Sequence, residues 1–214
     1  MADGTTLRTV TVTGTGTAEA PPDLLTISVG VECRRASVGA AYADAGTASA
    51  AVSAALRQHG VAAPDIRTSG LNVRPELIWR EGDGQQVAGY VASSMLTVRV
   101  RQVAAASAVI ASVVEAGGDD ARLNGLELDF ADESPMLARA REAAWRDAAA
   151  AAEQFAALAS ATLGRVLSVA EHPLAAGPVP VARLERAVAA DAIGVEPGQA
   201  SLNAGVTVVW ELLD

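Results

Sequence analysis

The chain contains no lysine: all sixteen of its basic residues, apart from two histidines, are arginine. A Schiff-base lysine and a Walker-type phosphate lysine are therefore both excluded. Cysteine is almost absent as well. Cys33 stands alone, so no intramolecular disulfide can form, and it falls within an alternating apolar run that marks it as a buried structural thiol. Aromatic residues make up 3% of the chain against 50% hydrophobic residues in all, so the core must be built from Val, Leu, Ile and Ala. No stretch of about 20 unbroken apolar residues occurs, which excludes a membrane-spanning helix. The residues Met1 to Thr6 show neither a basic nor an apolar leader pattern, and a cytoplasmic chain is expected from them. Net positive charge is also missing. A formal charge of −9 argues against broad binding to nucleic acid or to an anionic membrane, which require a basic surface.

What is present is alternation. In residues 7–17, Val10 and Val12 fall on one side and Thr9, Thr11 and Thr13 on the other, as in a half-buried strand. Pro21-Pro22-Asp23 interrupts the pattern. A second strand follows, with Leu25, Ile27, Val29, Val31 and Cys33 on one face and Thr26, Ser28, Gly30 and Glu32 on the other. These two runs are expected to pair as a hairpin. Residues 37–59 predict an Ala-rich helix that stops at His59-Gly60. Strands are predicted over 66–80 and 86–101, joined by the turn Glu81-Gly82-Asp83-Gly84, with Leu96, Val98 and Val100 pointing inward. A second helix over 103–116 closes at Gly117-Gly118. A strand over 122–130 places Leu126, Leu128 and Phe130 inward.

The longest helix is predicted from Ser134 to about Leu163, with Pro135 in its first turn and Gly164 as its stop. Trp145, Ala148, Ala152, Phe155 and Ala159 recur at helical spacing and are expected to face a sheet. A strand over 165–171 follows, then a Pro/Gly/Ala-rich arm over 173–199, part of which (181–192) reads as a short helix. The last strand, 200–213, buries Leu202, Ala204, Val206, Val208, Trp210 and Leu212. The order β-β-α-β-β-α-β-α-β-β implies an α+β fold of mostly antiparallel sheet with helices packed on one side, as a single domain over 1–214.

Segments of the sequence resemble the SIMPL (DUF541) family along nearly the whole chain. They are Gly14-Thr15-Gly16 followed by Pro22-Asp23; Gly60-Val61 with Asp65-Ile66-Arg67-Thr68 and Val73-Arg74-Pro75; Gly89-Tyr90-Val91-Ala92-Ser93-Ser94 with Leu96-Thr97-Val98-Arg99-Val100-Arg101; and Ala143-Ala144-Trp145-Arg146-Asp147-Ala148 through Leu163-Gly164-Arg165-Val166. Glu196-Pro197-Gly198 and Val206-Thr207-Val208 add to the likeness. Ser94, Gln102 and Ala151 depart from the family's pattern, where Asn, Asp and Lys are usual. The resemblance implies an α+β fold, frequent export to the periplasm, self-association that reaches ring-like or channel-like assemblies, and roles in oxidative-stress defence or, in animals, signalling by protein contact. It brings no catalytic residues.

No catalytic, cofactor-binding or metal-ligating residue is nominated from the residues themselves, and no cofactor is expected. Gly14-x-Gly16 lacks the third glycine opening a helix, so it reads as strand glycine rather than a phosphate loop. His59 and His172 are isolated from each other and from any ligand spacing. No Gly-x-Ser-x-Gly elbow is present. Asp129, Asp132 and Glu133 cluster before a helix without the spacing of a calcium loop. Arg99 and Arg101 would pair with Glu127 and Asp129 if their strands were neighbours. The expected function is therefore that of a non-catalytic protein that self-associates through strand edges and the 173–199 arm. A small-ligand module, with a pocket between the long helix and the sheet near Trp145 and Trp210, is the alternative.

Overall fold

The computed structural model describes residues 7–172 and 194–214, so the expected short helix at 181–192 and most of the 173–199 arm lie outside the described residues. Among the described residues, seven strands and three α-helices follow the predicted order, in two compact units.

One unit is formed by β1 (Thr9–Ala20), α3 (Ser134–Leu158), β6 (Thr162–His172) and β7 (Ala200–Leu213). Its strands run antiparallel in the order β1-β7-β6. Thr9, Thr11, Thr13, Thr15 and Thr17 line one face of β1, where Thr13 Oγ1 and Thr207 Oγ1 lie 2.8 Å apart and Thr17 Oγ1 donates to Asn203 Oδ1 at 2.7 Å. The opposite face carries Val12, Gly14, Gly16 and Ala18, all buried. Here α3 lies directly on the strand. A Cβ on Gly14 would come within 2.2 Å of the Ala144 carbonyl oxygen, and one on Gly16 within 2.2 Å of that of Ala140. The Gly-x-Gly spacing thus serves helix–strand contact, which the absence of a side chain makes possible.

The same closeness decides which helical face is buried. The buried stripe is Met136, Ala140, Ala144, Ala148, Ala152 and Ala156, one small residue per turn after the methionine. Ala148 and Ala152 meet their expectation. Phe155 and Ala159 do not: both are exposed, because a helix seated on glycine has no room for a large ring along its contact line. The helix also ends earlier than predicted. It stops at Leu158, Ser160 turns the chain with φ 53°, and β6 has already begun at Thr162. Gly164 is consequently a strand residue packed against Glu211, not a helix stop.

The other unit contains β2 (Leu24–Arg35), α1 (Val38–Gln58), β3 (Ile66–Arg80), β4 (Gly84–Val100), α2 (Ala106–Gly117) and β5 (Ala121–Asp129). The sheet order is β3-β4-β2-β5, antiparallel throughout, with α1 and α2 packed on one face. Ser37 caps α1 by accepting from the Ala40 N–H at 3.3 Å, and Gly60 follows the helix with φ 81°. The core joins Leu25, Ile27, Val29, Val31 and Cys33 of β2 to Leu96, Val98 and Val100 of β4 and to Val52, Leu56 and Val109 of the helices. Each large aliphatic side chain buried there contributes roughly 1.5–3 kcal/mol. Val195 adds to this core from the described end of the arm.

Two strand expectations are corrected. The first two strands do not pair: β1 pairs with β7, and β2 lies between β4 and β5. Neither Pro21 nor Pro22 has an N–H to offer a hairpin, and the next N–H, of Asp23, donates to the Asp129 carbonyl on β5 at 3.2 Å. In β5, Leu126 is exposed and Leu128 only half-buried, as is Phe130 just past its end, because β5 is one of the sheet's two outer strands.

Candidate functional site

The charged side chains singled out above find local structural partners. β2 separates Arg99 from Glu127, with Thr26 opposite both, so the cross-strand pairs do not form. Arg101 instead donates from Nε and an Nη to both oxygens of Asp65, each at 2.8 Å. Asp65 is 7% exposed, and the bonds from Arg101 hold its carboxyl below the ordinary carboxylate range against the opposing effect of burial. Asp129 Oδ1 accepts from the Phe130 N–H, and Asp132 Oδ1 from the Ser134 N–H at 2.9 Å; hydrogen bonding from the Ser134 side chain first, then from its N–H, lowers the Asp132 pKa. His172 Nε2 lies 2.9 Å from Thr207 Oγ1, and His59 caps the end of α1. Among the described residues, no group of three His, Cys, Asp or Glu is assembled as a metal site.

Cys33 is fully buried in the second unit's core. Burial first, then neighbouring Asp120, pushes its thiol up to about 11. A thiol that stays protonated and covered is a packing group, as its place in β2 predicts.

Two features remain once these are accounted for. The first is on β3, the outer strand of the four-stranded sheet. Leu71 and Val73 pair with Ser94 and Ala92, and Leu77 and Trp79 with Val87 and Gln85. By the two-residue period, Leu71, Val73, Leu77 and Trp79 share one face of the strand. It is the face that α1 covers further in, where Ser49 Oγ lies 3.1 Å from Ser94 Oγ. Farther along the hairpin the stripe is bare: Leu71 is 62% exposed, Trp79 79%, and Leu77 and Val87 about half. Gly82 and Gly84, both at positive φ, close the hairpin beyond Trp79.

The second is a hollow of about 200 Å³ in the other unit, lined by Ala144, Trp145 and Arg141 of α3, Val169 and Glu171 of β6, and Ala204, Gly205 and Val206 of β7. Its origin is geometric. The glycines of β1 draw α3 onto that edge of the sheet, and Ala204 and Gly205 leave its floor without bulk. Trp145, expected to face the sheet, does so from the side, with its ring 5.9 Å from that of Trp210 at 54°. Arg141 closes the rim with bonds to Glu171 at 2.7 and 3.1 Å, which lower the Glu171 pKa. The Arg141–Glu171 pair was not foreseen. Glu171 gave no signal of it, since an acid on an exposed stretch of strand needs no partner.

No helix among the described residues is long and apolar enough to cross a membrane. In comparison with known proteins, residues 10–210 match the family model "SIMPL: Protein of unknown function (DUF541)". The 26 kDa periplasmic immunogenic protein of Brucella melitensis is 27% identical over 214 residues, covering 95% of this chain and 84% of that one. The uncharacterized protein YggE of Edwardsiella ictaluri is 27% identical over 175 residues, 82% of this chain and 72% of its own. YggE of Escherichia coli is 26% identical over 181 residues, 85% and 72% of the two chains. With the match running from the first strand to the last, through both units, the chain belongs to the SIMPL (DUF541) family, whose function is not known.

Proposed function

We propose that this chain works as an interaction protein rather than an enzyme, and that copies of it associate through the β3–β4 hairpin. The observation that carries the reading is the bare apolar stripe Leu71, Val73, Leu77 and Trp79 along a sheet's outer strand. Exposed edges of this length are ordinarily blunted by charge or covered, and a contiguous exposed apolar patch marks an interaction site. Pro75 has no N–H to offer, and among the described residues no strand pairs with β3 on its outer side.

A second copy is the occupant that fits. An antiparallel strand edge offers donors and acceptors in a pattern that its own copy can match. The charges agree: with Arg74 and Glu76 already paired to Glu32 and Arg34, residues 67–83 carry Arg67 and Arg80 against Glu81 and Asp83, a mixture suited to a partner of mixed sign. Light scattering on the purified chain at tens of micromolar tests this. The expected mass is a multiple of 21.6 kDa, falling to one copy in the double variant Leu77→Glu, Trp79→Ser with its circular dichroism unchanged. A single-copy mass for the parent chain at that concentration would refute the proposal.

A further inference from the structure

The hollow beside Trp145 has features that packing alone does not require. Its walls are almost entirely apolar. Among the described residues the charges at its rim are Arg141 and Glu171, and they are engaged with each other through two hydrogen bonds. A cavity of roughly 150 Å³ lined by apolar side chains accommodates one benzene ring. The hollow here holds about 200 Å³ and is half open to solvent. Trp145 lines the hollow and offers an aromatic surface to whatever enters, while Trp210, buried behind it, holds that ring at 54°. Ala204 and Gly205 keep the floor low enough to admit it.

We propose that this hollow is a binding site for a small, neutral, single-ring aromatic molecule, held against Trp145 and between Val169 and Val206. The site lies in the unit formed by β1, α3, β6 and β7, whereas the association surface proposed above lies on β3 and β4, so the two proposals stand or fall separately. Neutrality follows from the apolar walls: an anionic ring would have to leave water for a lining whose one cation, among the described residues, already carries the Glu171 carboxylate. The one-ring limit follows from volume.

The three tryptophans supply the test. Toluene is titrated into the full-length ¹⁵N-labelled chain while the three indole N–H resonances are followed. The Trp145 and Trp210 signals are expected to shift saturably while Trp79 stays in place. Val169→Phe, on the half-exposed wall, should fill the hollow and weaken binding at least tenfold. Intermolecular NOEs from toluene to the methyls of Ala144, Val169 and Val206 locate the ring without reliance on any variant. Benzoate should bind at least tenfold more weakly than toluene. The proposal is overturned by a shift that does not saturate, by equal movement of all three indoles, by NOEs to other residues, or by benzoate binding as well as toluene. It is equally overturned if toluene binds only after residues 176–192 are replaced by a Gly/Ser linker, since the chain's own segment would then be the occupant.

Discussion

Replacing Gly14 by alanine puts the packing of α3 on β1 to its sharpest test. The added Cβ would sit 2.2 Å from the Ala144 carbonyl oxygen, 2.4 Å from the Ala148 nitrogen and 2.8 Å from the Ala148 Cβ. Two of these atoms are backbone and cannot rotate away. Restoring van der Waals separation requires α3 to lift by about 1 Å, which loosens the contacts of its whole alanine stripe. Overpacking of this kind costs roughly 1–3 kcal/mol. The smaller conformational freedom of alanine in the unfolded chain returns about 0.4–1 kcal/mol. A net loss of about 1.3 kcal/mol is expected, or roughly 3–5 °C in Tm. Gly46 supplies the opposite case. It is exposed in the middle of α1, a Cβ there meets nothing within 4 Å, and its φ is not positive. Gly46→Ala should therefore stabilise by about 0.5–1 kcal/mol. Urea unfolding followed by circular dichroism and tryptophan emission measures both. If Gly14→Ala matched the parent chain within about 0.5 kcal/mol, the close approach of helix and strand would be refuted.

Acid and base should act on different residues. The Asp65 carboxyl is held below its ordinary value by Arg101, so at moderately acidic pH the unfolded chain binds the extra proton first. The stability from this pair is complete above the unfolded carboxylate value and is lost as pH falls through the folded one. Asp65→Asn should thus be less stable than the parent at pH 7, with the gap closing below about pH 4 in pH-dependent urea melts. Cys33 runs the other way. Its folded thiol lies near 11 against an ordinary value of 9.0, so stability present below about pH 9 drains away as pH rises toward 11. The loss is roughly 2 kcal/mol, and Cys33→Ala should not show it. In the folded chain at pH 8, Ellman's reagent should react with Cys33 only as fast as the unit opens. Immediate stoichiometric labelling would contradict its burial.

How far the sequence reaches is seen by comparing β3–β4 with β1. The hairpin was legible because its two runs flank four turn residues, Glu81 to Gly84, and the pairing is local. The alternation in residues 7–17 was equally plain, yet it says only which side chains share a face. It does not name the neighbouring strand, and the true partner, β7, begins at Ala200. The nearest alternating run was the wrong choice because two prolines intervene. In α3 the apolar spacing overstated the rings. Trp145 and Phe155 carry more hydrophobicity than Ala144 or Ala156, but Gly14 and Gly16 had already fixed how thin the contact line must be. The hollow was anticipated by place alone, near Trp145 and Trp210. Its rim was not, since nothing local ties Arg141 to Glu171 thirty residues later.

The place of β7 at the centre of its sheet has a consequence for how the protein is made. Among the described residues, 22–131 supply every strand and helix of one unit in a single stretch, so most of that unit can close while the ribosome is still working, with Val195 joining it later. The other has its first strand in hand early and then waits. Until Ala200 to Leu213 emerge, β1 and β6 have nothing between them, and α3 has only half a surface to lie on. For that interval a nascent chain carries a threonine-lined strand and an alanine-lined helix with no home, and a stop codon a dozen residues early would leave them so permanently.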